Sequence, residues 1–83
     1  MNKIVVEVRV PSIDRVYDAK IPRDLQIWEV TKLLSEMIAS THPGLYASEN
    51  EAVLCDYVTG TMFPINKLVD DVGLVNGSRV ILV

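Results

Sequence analysis

Between Lys3 and Ile38 the apolar residues change their spacing once, and that change of period restricts the fold more than any other feature of the chain. In Lys3 to Val10, the residues Ile4, Val6, Val8 and Val10 recur at every second position with Glu7 and Arg9 between them, the pattern of a strand with one buried face. Pro11-Ser12-Ile13-Asp14 supplies turn formers. From Arg15 to Ile21, Tyr17, Ala19 and Ile21 then alternate against Asp18 and Lys20, so the two segments are expected to form a hairpin. After Pro22 and Asp24 the spacing becomes Ile27, Val30, Leu33, Leu34, Met37 and Ile38. At about 100° per residue these gather on one side and predict an amphipathic helix with limits near residues 25 and 41. Asp24 or Gln26 is expected to accept from its first free amides, and His42-Pro43-Gly44 to stop it.

Beyond the helix, Leu45 to Glu51 reads as a polar connection and Ala52 to Val58 has strand composition. Thr59-Gly60 predicts a tight reversal into a short strand, Thr61-Met62-Phe63, ended by Pro64. Lys67 to Val75 has no clean period, and Asn76-Gly77 turns the chain into a last strand, Ser78 to Val83. The expected order is strand, strand, helix, strand, short strand, irregular turn, strand. A mixed sheet with one helix packed across it is a two-layer α+β domain, and the first and last strands, being the most apolar, belong at its centre. This order suggests a β-grasp.

Composition sets the class. With 83 residues, 49% hydrophobic and 23% charged, the chain is expected to fold as one domain over residues 1–83, burying roughly 60% of the surface it exposes when unfolded. Eight Lys and Arg against eleven Asp and Glu give a formal charge of −3, which leaves no surplus to displace counterions from nucleic acid. Cys55 is the one cysteine, so an internal disulfide is impossible and structural zinc or an iron–sulfur cluster would lack its ligands. No cofactor is expected. The first apolar run is broken at Glu7 and Arg9, too early for a signal peptide, and nothing approaches a membrane span, so a cytoplasmic protein without direct membrane insertion is expected.

Val69-Asp70-Asp71-Val72-Gly73-Leu74-Val75-Asn76-Gly77-Ser78-Arg79-Val80 resembles the penultimate turn of the ubiquitin-like superfamily, and the chain over its whole length most resembles the bacterial YukD-like (EsaB-like) proteins of type VII secretion systems. Gly73 suits a left-handed backbone, Leu74 is expected to plug the sheet end and Asn76-Gly77 to reverse the chain. The resemblance implies a non-enzymatic adaptor that binds other proteins non-covalently. Its implied partners are cytosolic portions of the secretion machine, either an FtsK/SpoIIIE-type ATPase or a pseudokinase-like subunit. Ubiquitin and the sulfur carriers act through a flexible Gly-Gly end, whereas Val80-Ile81-Leu82-Val83 is expected to be strand to its last residue. Two other readings stay open: a covalent modifier or sulfur carrier whose native chain continues into such an end, and a ubiquitin-like interaction domain outside secretion. Oligomeric state is not legible.

Five residues are candidates for partner binding. Val5, Ile81 and Val83 are expected to face away from the helix, side by side, either as ordinary β-branched residues of parallel neighbours or as an apolar docking patch. Trp28 is expected to lie opposite a core stripe centred on Val30, Leu34 and Met37, together with Lys32 and Ser35, where an exposed indole is either packed on the Lys32 stem or an interface anchor. Cys55 is expected to be a small packed hydrophobe on a strand of undetermined register, since Val53-Cys55-Tyr57 and Leu54-Asp56-Val58 both alternate. His42 reads as a solvated helix-end residue near free carbonyls, and Asp70-Asp71 as a capping pair. No catalytic constellation, metal spacing or phosphate loop is present in the sequence.

Overall fold

The computed structural model describes residues 2–42, 44 and 52–83. Strand β1 (Lys3–Val10) runs through a 3₁₀ turn at Pro11–Ile13 into β2 (Arg15–Pro22), followed by helix α1 (Ile27–Thr41), β3 (Leu54–Asp56) and β4 (Arg79–Leu82). The sheet order is β2-β1-β4-β3, with β1 parallel to β4 and the outer pairs antiparallel. The two most apolar strands are therefore central, as expected. The polar connection expected over residues 45–51 lies outside the described residues.

Alternation sets what each strand buries. Ile4, Val6, Val8 and Val10 of β1, Ala19 and Ile21 of β2, Leu54 of β3 and Val80 and Leu82 of β4 form one core with Ile27, Val30, Leu34 and Ile38 of the helix. Leu54 decides the open register of the third strand: it points inward opposite Leu82, and Cys55 lies on the other face opposite Ile81. Cys55 is only partly covered there, not packed in the core. The short strand expected at Thr61–Phe63 is reduced to a single bridge between Cys55 and Met62, giving four strands rather than five among the described residues. The reversal itself forms as expected: Gly60 has φ +73° and donates to the Asp56 carbonyl at 2.8 Å.

The helix turns a different face to the sheet than its apolar residues predict. Leu33 and Met37 are 54% and 41% exposed, whereas Thr31 and Ser35 are buried, Ser35 to 3%. The six apolar positions and the six buried ones each span about 140°, but the buried face is rotated by about 60° and is centred on Ile27, Leu34 and Ile38. Thr31 tolerates burial because its hydroxyl donates to the Ile27 carbonyl at 2.7 Å.

The amino end of α1 is closed by a distant segment. Ile27 and Trp28 donate their backbone N–H to the carbonyls of Lys67 and Ile65 at 2.9 and 3.2 Å, and Val69 donates back to Leu25 at 2.9 Å. Two of the amides that no helix can satisfy internally are thereby paired. Gln26 is the N-cap residue and forms a capping box with Glu29, in which its own N–H donates to the Glu29 carboxylate at 3.0 Å. Asp70 does not cap. It accepts from Arg23 Nε at 3.1 Å, an exposed ion pair that ties the same segment to the end of β2.

Candidate interaction surfaces

Docking residues 65–69 on the start of α1 brings Ile65 beside Trp28 and opens a groove between α1 and β3. The groove has a volume of about 520 Å³, with Leu54 and Phe63 among its apolar lining, Trp28, Met62 and Ile65 as exposed apolar residues, and Lys32 and Glu36 as its charges. It exists because the helix flank facing β3 carries Thr31 and Ser35, too small to fill the space a leucine would occupy. Trp28 is 47% exposed but is not opposite the core: at 100° per residue it stands a quarter turn from the buried face, flanked by buried Thr31 and Ser35. Its indole Nε1 donates to Gln26 Oε1, which fixes the ring on the groove rim. Lys32 stands on the same rim, so these two candidates are brought together.

The three aliphatic candidates on the sheet are not brought together. The parallel register pairs Glu7 with Arg79 and Arg9 with Ile81, which leaves Val5 four residues from the Ile81 row, about 13 Å along the strand. Val5 instead receives the final turn: its N–H donates to Asn76 Oδ1 and its carbonyl accepts from Gly77 N–H, both at 2.8 Å. Strand β4 ends at Leu82, one residue short of the expected end, and Val83 just beyond it closes a reciprocal pair of hydrogen bonds with Val53 at 2.9 and 3.1 Å.

Charged and aromatic residues occupy the space between. Glu7 Oε2 lies 3.2 Å from Arg9 Nε and 3.8 Å from Arg79 Nε, and the guanidinium carbons of Arg9 and Arg79 stand 4.7 and 5.9 Å from the Tyr57 ring centre. The basic residues, which in sequence are scattered among acids, are thus partly gathered by strand pairing. His42, the C-cap of α1, is not a freely solvated end: its ring centre is 5.8 Å from that of Tyr17 on β2. Among the described residues no group of His, Cys, Asp or Glu side chains could hold a metal ion, and no helix is long and apolar enough to cross a membrane.

Sequence reasoning missed the groove. Its one local signal is the Thr31, Ser35 pair at i, i+4 inside an otherwise apolar stripe, which marks a helix flank that nothing large can fill. Met62 and Ile65 carry no such signal, because Met62 is placed by its bridge to Cys55 and Ile65 by the bonds between the 65–69 segment and the helix.

The sequence matches no family model and no curated protein. Solved structures do resemble it. The EccD5 ubiquitin-like domain from Mycobacterium xenopi superposes with a TM-score of 0.82 at 17% identity, over all of this chain and 94% of that one. A chain of the MycP5-free ESX-5 inner membrane complex gives 0.81 at 15% identity, over 98% of this chain and 20% of that one. The ubiquitin-like domain of Plasmodium falciparum Dsk2 gives 0.74 at 15% identity, over 98% of this chain and 96% of that one. Identities this low carry a fold and nothing beyond it, and together with the strand order and the single packed helix they establish that fold: the chain is a ubiquitin-like β-grasp.

Proposed function

We propose that this chain is a non-catalytic, ubiquitin-like accessory protein of a bacterial type VII secretion system, of the YukD-like (EsaB-like) kind. It acts in the cytoplasm, at the inner face of the membrane, by docking non-covalently on cytosolic portions of the secretion machine, an FtsK/SpoIIIE-type ATPase or a pseudokinase-like subunit. The reading is supported by the likeness in fold of the whole of this chain to the EccD5 ubiquitin-like domain and to about a fifth of a chain of an ESX-5 inner membrane complex, taken with the resemblance of the Val69 to Val80 turn. A rigid β-grasp suits the task, because a preformed surface loses little entropy on docking. Trp28 and Lys32 on the groove rim are the proposed anchors of one contact, and Ile81 with Val83 of another; Val5 is too far away to share it.

Titration calorimetry of the folded protein against the cytosolic portion of the ATPase and against that of the pseudokinase-like subunit tests the proposal. Trp28→Ala is expected to weaken binding by about 2 kcal/mol or more, the scale of an aromatic hot spot. Ile81→Lys with Val83→Lys tests the sheet contact in the same way. Binding to neither partner, or detection of the protein joined to others through an amide or thioester at its carboxyl end, would overturn the reading.

A further inference from the structure

The open face of the sheet is charged against the sign of the whole chain. The protein carries a formal charge of −3, yet the outward positions of β1, β2 and β4 hold Lys3, Arg9, Lys20 and Arg79 against only Glu7 and Asp18. Glu7 stands across from Arg79 in the parallel register and two residues from Arg9, so one carboxylate faces both guanidiniums. Its Oε2 lies against the Nε edge of each, at 3.2 and 3.8 Å. Arginine presents its donors in a planar array, so a neighbour on the Nε edge leaves the terminal fork available.

Two further facts shape this pair. Both guanidiniums stand over Tyr57, which restricts their orientation before anything binds. In addition, Arg9 Nε and Glu7 Oε2 are sealed from solvent 3.2 Å from one another, so the Nε edge of Arg9 is held by Glu7 and its terminal fork is the part left to a ligand. The neighbours of Arg9 in the same row are aliphatic, Val16 on β2 and Ile81 on β4.

We propose that Arg9, Arg79 and Tyr57 form a receptor for a carboxylate side chain on an extended acidic segment of a partner protein, with Val16 and Ile81 taking its adjacent apolar side chains. A carboxylate matches the guanidinium fork with two parallel hydrogen bonds. A polyanion such as nucleic acid or an anionic membrane needs many cations in line, and would meet the net negative charge of the rest of this molecule.

Nitrogen NMR of the arginine side chains tests it with a synthetic peptide of about ten residues alternating glutamate and leucine, and with its glutamine counterpart. The glutamate peptide is expected to shift the Nε–Hε signals of Arg9 and Arg79 in a saturable way, and the glutamine peptide to leave them in place. Arg9→Gln and Arg79→Gln are each expected to weaken binding about tenfold or more, and Arg79→Lys to restore only part of it because an ammonium lacks the fork. Should either arginine variant fail to fold, Glu7→Gln keeps both arginines over Tyr57, removes the carboxylate that competes for them and is expected to tighten binding of the glutamate peptide; unchanged or weaker binding in this variant would count against the proposal. Unmoved arginine signals at millimolar glutamate peptide, or equal shifts with the glutamine peptide, would overturn the proposal. Tighter binding to inorganic phosphate or to phosphatidylserine vesicles than to the glutamate peptide at the same salt would do so as well.

Discussion

Asn76 and Gly77 do two jobs at the scale of single residues. Gly77 sits at φ +88°, where a side chain is strained whatever the space around it, and nothing lies within 4 Å of the Cβ that a substitution would add. Gly77→Ala is therefore expected to cost about 1–2 kcal/mol through backbone strain alone. Asn76→Ala removes the acceptor of the Val5 N–H and is expected to cost about 1 kcal/mol, since that amide is exposed enough for water to replace part of the bond. Chemical denaturation of both variants measures these losses, and a larger loss for Asn76→Ala than for Gly77→Ala would contradict the assignment. Both roles are legible in the sequence as an Asn-Gly turn. The partner of the Asn76 side chain is not, because it lies 71 residues away.

Helix α1 is the element whose behaviour departs most from its own pattern. Apolar periodicity predicts equal membership of the core for Leu33, Met37 and Ile38, yet only Ile38 is fully buried. Ile38→Ala is accordingly expected to destabilise by about 2–5 kcal/mol and Leu33→Ala by no more than about 0.5 kcal/mol. Thermal or denaturant unfolding decides the matter; comparable losses would mean that the helix packs by its apolar moment and not by the face seen here. The same rotation explains why Trp28 lines a groove. A helix carries its apolar arc locally, but which part of that arc is covered depends on the width and placement of the sheet beneath it.

Across the whole molecule, one core joins both central strands, both edge strands and the helix, and the 65–69 segment closes the helix end. Unfolding is therefore expected to be a single transition. Trp28 fluorescence, which reports the groove rim, and far-UV circular dichroism, which reports helix and sheet, are expected to give coincident curves. Separate midpoints would show that the groove opens independently of the core. Coincidence would also support the reading of residues 1–83 as one folding unit. For function, the consequence is that the groove and the sheet face are built on the same core.

The inward residues of β1 and β2, the presence of the helix, the reversals at Gly60 and Gly77 and the central position of the outermost strands in sequence all follow from local periodicity and backbone preference, which act between residues close together in the chain. The surfaces do not. The parallel register between β1 and β4 sets Arg9, not Val5, beside Ile81, and the bonds from residues 65–69 to the helix end put Ile65 next to Trp28. Both depend on pairings between distant segments that no periodicity encodes, so only the tertiary structure could decide them.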